Sequence, residues 1–135
     1  MYLLDINVVS ELMAGNKAVV AKMISVSPSD VSVPQPVLSE ILYGLSRLRK
    51  SKRRDKLEHR FDLLSQQIGR CAWNDAVSQH FGEVKTRLQK IGNVIEDFDI
   101  AIAAHALAHD LILVSAHGKH MSRIRALRLE DWSLG

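Results

Sequence analysis

The sequence predicts an α/β fold with a mainly parallel central sheet, and three features carry that expectation. Short apolar runs of strand length stand at Tyr2 to Leu4, Val31 to Val33 and Leu111 to Val114. Segments with helical spacing of apolar residues lie between them. The helices are long enough to serve as crossovers, which parallel neighbours require and antiparallel hairpins do not.

Each element follows from its residues in order. Tyr2 to Leu4 ends in Asp5-Ile6-Asn7 and reads as a buried first strand. Asn7 suits the N-cap of a helix carrying Val8, Val9, Leu12 and Met13, with Gly15 as its stop. A second helix fits Lys17 to Ile24, Ser27 to Asp30 form a turn, and Val31 to Val33 make the second strand. Pro34 and Pro36 suit the opening of a helix that reaches about Leu48 with a broad apolar stripe. A further helix is expected around Lys56 to Ile68, then a brief strand near Cys71. Asn74 or Asp75 caps a helix bearing Val77, Phe81, Val84 and Leu88, which Gly92 closes. Asp97 to Ala108 is rich in alanine, as suits a helix packed closely by its neighbours on nearly all sides. Leu111 to Val114 is a strongly apolar strand, and Leu127-Arg128-Leu129 alternates as the last one.

Residues 1–135 read as one domain, since no linker, repeat or low-complexity tract interrupts them. Hydrophobic residues at 47% and charged residues at 24% exclude a disordered chain. No apolar run is long enough to span a bilayer. The start has no basic, apolar and small-residue signal, and the lone Cys71 fits a reducing compartment, so a cytoplasmic protein is expected.

The formal charge of +3 is unevenly spread. The stretch from Arg47 to Arg60 carries +6, leaving −3 for the remainder, and Lys119, Arg123, Arg125 and Arg128 form a second basic cluster. Such clusters suit a polyanion, although a solvated helix face has the same composition.

Three acids stand where ligands gather in parallel sheets. Asp5 follows a strand, Glu40 borders the apolar stripe of its helix, and Asp99 lies in the first turn of the alanine-rich helix. If they converge, their mutual repulsion calls for a divalent cation, and oxygen-only ligands suit Mg²⁺ or Mn²⁺. Each acid also has a plainer role open to it, as a strand terminus, helix cap or flank. His105 and His109 have metal-compatible spacing but lack the Glu of a zinc-protease helix, and no serine triad or phosphate loop is visible.

The segments Tyr2-Leu-Leu-Asp5-Ile-Asn7, Leu38-Ser-Glu40-Ile-Leu-Tyr-Gly44, Asp99-Ile-Ala-Ile-Ala-Ala-His-Ala-Leu107, Leu111-Ile-Leu-Val-Ser115 and Leu127-Arg-Leu-Glu-Asp-Trp132 together resemble the PIN domain. Within that superfamily the sequence is similar to the VapC toxins of bacterial toxin–antitoxin modules. The resemblance implies a three-layer sandwich and a metal-dependent endoribonuclease that hydrolyses RNA phosphodiesters. Asp5, Glu40 and Asp99 would hold Mg²⁺ or Mn²⁺, with Asn7 and Ser115 in support and His117 as a possible further ligand. Arg47, Arg49, Lys50, Arg53 and Arg125 would hold the RNA backbone. It also implies a VapB-type antitoxin and a homodimer. With an acidic pocket ringed by cations, an antitoxin tail is expected to block the site by placing an arginine among the carboxylates. Ile6 replaces the family's usual threonine, and Ser115-Ala116-His117 replaces a more polar run. These departures motivate an alternative, a catalytically weakened PIN-fold module that pairs with an antitoxin. An aspartyl phosphotransferase ranks behind both, because Asn7 stands where its second aspartate belongs.

Overall fold

The computed structural model describes residues 1–116 and 118–134. Its sheet has five strands: β1 (Tyr2–Leu4), β2 (Val31–Pro34), β3 (Gly69–Cys71), β4 (Ile112–Val114) and β5 (Leu129–Glu130). All neighbours pair in parallel, in the spatial order β3-β2-β1-β4-β5. The chain steps outward from β1 through β2 to β3, then crosses back to add β4 and β5 on the other side. That reversal at β1 opens a crevice beyond the carboxyl ends of β1 and β4, where open parallel sheets bind ligands. Leu4 is in register with Val114, so Asp5 and Ser115 leave the sheet side by side.

Seven helices flank the sheet: α1 (Ile6–Ala14), α2 (Lys17–Ser25), α3 (Gln35–Ser46), α4 (Lys52–Gln67), α5 (Asp75–Lys90), α6 (Asp97–Ala108) and α7 (Gly118–Met121). Their contacts fall into two groups, as right-handed crossovers on either side of β1 dictate. Helix α1 packs on α2, α3 and α4, while α5 packs on α6, and the groups meet where α3 touches α6. Leu3, Leu4, Leu113 and Val114 are fully buried in the middle of the sheet, and every residue from Ile100 to Ala106 is buried in α6. The alanines let neighbours approach α6 closely all round, as its composition predicts.

Several boundaries differ from expectation, each for a local reason. Asp5, not Asn7, caps α1: its carboxylate accepts the Ile6 N–H, so the helix begins directly after the strand. Gly15 does end α1, in the left-handed region at φ 80°. Helix α4 starts at Lys52 because the Ser51 side chain caps Arg54 N–H, which draws much of the basic run into the helix. The last strand begins at Leu129, two residues later than its alternation suggests, after Ala126 turns the chain at φ 67°. The short α7 has no periodic pattern to announce it. Among the described residues, no helix is long and apolar enough to cross a membrane.

Candidate active site at the sheet's switch point

Asp5 stands between the carboxyl end of β1 and the start of α1, where the crevice opens. Its residue is only 1% exposed, yet it carries a carboxylate. One oxygen accepts the Ile6 N–H at 2.7 Å and the other accepts the Ser115 hydroxyl at 2.7 Å. The plain role is met, since this group caps α1. No lysine, arginine or histidine forms an ion pair with it among the described residues. A buried carboxylate met only by neutral donors is costly, and a cation compensates that cost. At the second residue of α1, the Asn7 Oδ1 is also buried and has no hydrogen-bond partner among the described residues. Carboxylate and amide oxygens are the donor types a hard divalent ion takes.

The other two acids lie on either side of Ile6. Asp99, half-buried in the first turn of α6, lines a cavity of about 630 Å³ with Glu96, Phe98, His120 and Arg123. Glu40, exposed on α3, lines a neighbouring groove of about 350 Å³ with Met13, Leu45 and Arg53. Ile6 contributes to the walls of both. Asp5 and Ser115 are thus in contact, while Asp99 and Glu40 occupy adjoining spaces. Among the described residues, no three His, Cys, Asp or Glu side chains form a metal-holding group. Mg²⁺ asks for less, since one or two carboxylates suffice when substrate phosphate and water complete its shell. His117 lies outside the described residues. His120 and Arg123 line the Asp99 cavity without belonging to any motif; only the basic cluster near the C-terminus points to Arg123.

The basic segment divides on inspection. Arg54 donates to Glu58 at 2.6 Å and to the Leu48 carbonyl, and Arg60 donates to the Met13 carbonyl at 2.8 Å. Those two arginines tie α4 to its surroundings. Arg47 stacks over the Tyr43 ring, and Arg47, Arg49 and Lys50 are exposed. Arg53 faces the groove beside Glu40, and Arg125 lies in a separate cavity behind Arg123.

Two other titratable groups are structural. His105 is completely buried, and its Nδ1 lies 2.7 Å from the Ala101 carbonyl. A carbonyl only accepts, so Nδ1 carries the proton and the partnerless Nε2 is bare. Burial pushes its pKa below the usual histidine range, opposed by the Ala101 hydrogen bond. Burial also raises the Cys71 thiol to about 11, which makes it inert.

Residues 2–127 match the PIN-domain family over almost the whole chain. The chain belongs to the PIN-domain family. Among curated relatives, the PIN domain here is 30% identical to Ribonuclease VapC2 of Haemophilus influenzae, over 97% of each chain. It is 25% identical to the tRNA(fMet)-specific endonuclease VapC of Shigella flexneri, over 98% of each. Among solved structures, it superposes with a TM-score of 0.86 on a chain of VapBC2 from Rickettsia felis bound to a promoter DNA fragment. That match has 25% identity and covers 97% of this chain and 98% of the other.

Proposed function

We propose that this PIN domain is a divalent-metal-dependent endoribonuclease and the toxin of a toxin–antitoxin pair. The observation that carries the reading is Asp5: a buried carboxylate at the switch point, fixed by Ser115 and α1, beside the orphaned Asn7 oxygen. Similarity to full-length ribonucleases named VapC supports the same reading. Asp5, Asp99 and Glu40 would hold Mg²⁺ or Mn²⁺, with Asn7 supplying a neutral oxygen. The ion supplies positive charge to the scissile phosphate and acidity to a bound water. The chain's own part is to hold the carboxylates in position. Ser115 keeps one Asp5 oxygen from turning, and the Ile6 N–H at the start of α1 holds the other. Arg123 borders the Asp99 cavity and is a cation in reach of the RNA backbone there. Arg47, Arg49 and Lys50 extend the attraction for RNA beyond the cavity.

The partner in this reading is a VapB-type antitoxin, as the VapBC complex of Rickettsia felis suggests. The groove between α1, α3 and α4 has an aliphatic lining from Met13, Ala14, Ile41 and Leu57, and it ends at Glu40. An antitoxin tail with aliphatic residues in that groove and an arginine at the carboxylates would block the site. A homodimer in the cytoplasm completes the proposal.

The experiment is RNA cleavage by the purified chain with Mg²⁺ or Mn²⁺, set against Asp5→Asn. The variant keeps an oxygen to accept the Ile6 N–H, and its amide N–H can donate to the Ser115 hydroxyl with that bond reversed, so its circular dichroism should match the native chain. Cleavage should fall by about 100-fold or more, the scale of losing a preorganised group that stabilises transition-state charge. Cleavage that survives both Asp5→Asn and chelation of the metal contradicts the assignment.

A further inference from the structure

We propose that a second cavity, behind Arg123, seats an unpaired base of the RNA next to the site of cleavage. The inference rests on the endoribonuclease reading and names a subsite for it. The cavity has a volume of about 630 Å³ and lies between α5, the end of α6 and the segment that follows α7. Its floor is apolar, built from the buried Val84, Leu88 and Ile124 and the half-buried Leu107. Its rim carries Arg87, Lys90, Arg123 and Arg125, with Glu83 as the one acid among the lining residues.

None of those four cations forms an ion pair or a side-chain hydrogen bond among the described residues, whereas Arg54, Lys85 and Arg128 elsewhere all do. Four cations around one opening, with a single carboxylate near, repel one another unless an anion joins them. An anion alone would not need the apolar floor, and an apolar ligand alone would not need the rim. A nucleotide has both parts, a flat base to bury and a phosphate to pair. The size lies within the usual range for small-molecule sites. Continuity then selects RNA over a free nucleotide, because Arg123 lines this cavity and the Asp99 cavity alike. A strand with its scissile phosphate at the acids passes Arg123 and brings a neighbouring base over the floor. The wall includes Ala126 at φ 67°, a left-handed non-glycine residue of the kind that persists where its surroundings hold it.

The test uses the full chain and a short single-stranded RNA containing 4-thiouridine. Photocrosslinks should map to Leu107, Ile124 or Ala126. Gly82→Trp puts an indole at the cavity's edge, where an added Cβ meets nothing within 4 Å. It should suppress the crosslinks and raise KM about tenfold, the scale of losing one seated base, with kcat within about twofold. Arg87→Ala with Arg125→Ala should do the same without adding bulk. An abasic nucleotide at the crosslinked position should raise the native KM equally and add nothing in Gly82→Trp. An unchanged KM in both variants, or crosslinks confined elsewhere, overturns the proposal. So does competition by a nucleoside monophosphate as effective as by RNA, which marks a free-nucleotide pocket. If the chain cuts no RNA at all, the endoribonuclease reading falls, and the crosslinks alone decide whether this cavity takes a base.

Discussion

Ser115 and His105 show how two buried polar residues serve opposite ends. The Ser115 hydroxyl spends its proton on Asp5, so its effect is felt through that carboxylate. Ser115→Ala should weaken Mg²⁺ or Mn²⁺ binding, measured by calorimetry, by about 10- to 100-fold, the usual effect of removing a group that orients a metal ligand. His105 is instead a stability element. Its bare Nε2 is buried, the Trp73 ring stands edge-on at 5.1 Å, and the neighbouring His109 lowers its pKa further. The folded chain therefore resists protonation at His105 while the unfolded chain accepts it near pH 6.5. The unfolded state binds more protons just below that pH, so stability is full above about 6.5 and declines as pH falls. Urea midpoints at pH 7.5 and 5.5 should differ more in the native chain than in His105→Phe; equal differences would remove His105 from the acid response. Asp5 was legible in the sequence because a strand-end acid in a parallel fold has few other positions. The misreading of Asn7 as a cap has an equally local cause, since Asp5 and Asn7 are both good caps and only the strand's end decides between them.

At the scale of elements, α6 explains why the site can be rigid. It carries Asp99 at its start and is enclosed from Ile100 to Ala106, with Ala103 and Ala104 fully buried. The sequence announced this helix through composition rather than periodicity, because a helix buried all round has no polar face to alternate with. Ala104→Leu should force α5 or the sheet away and cost about 1–3 kcal/mol, seen as a lower melting temperature. Loss of RNA cleavage well below the new melting point would then report a shifted Asp99 rather than unfolding. An unchanged melting temperature would mean that the packing around α6 is looser than its burial indicates. The elements that escaped sequence reading, α7 and the true start of β5, are too short to show a period. Their positions are set by tertiary pairing, as when Leu113 N–H takes the Arg128 carbonyl at 2.9 Å. That same stretch supplies His120 and Arg123, so the part of the site on it was legible only as charge.

For the whole molecule, the question is which of its cations are free to meet a polyanion such as RNA. A count from the sequence assigns the Arg47 to Arg60 segment the largest share, yet Arg54 and Arg60 are committed to Glu58, Leu48 and Met13, and Arg128 is paired with Asp110 at 3.0 Å. Exposed Arg47, Arg49 and Lys50 remain available, as do the cations around the second cavity. Binding of single-stranded RNA should weaken as salt rises, with about 0.7 added to the slope of log K against log salt for each phosphate neutralised. Changing Arg47, Arg49 and Lys50 together to alanine should therefore reduce that slope by about 2 if all three reach phosphates. Gly82→Trp displaces a base and leaves the cations in place, so it should lower affinity while the slope stays the same. Binding isotherms at four or five salt concentrations separate the two effects. A triple variant with the native slope would mean that α3 and α4 face away from the RNA, leaving Arg123 and its neighbours as the whole electrostatic footprint.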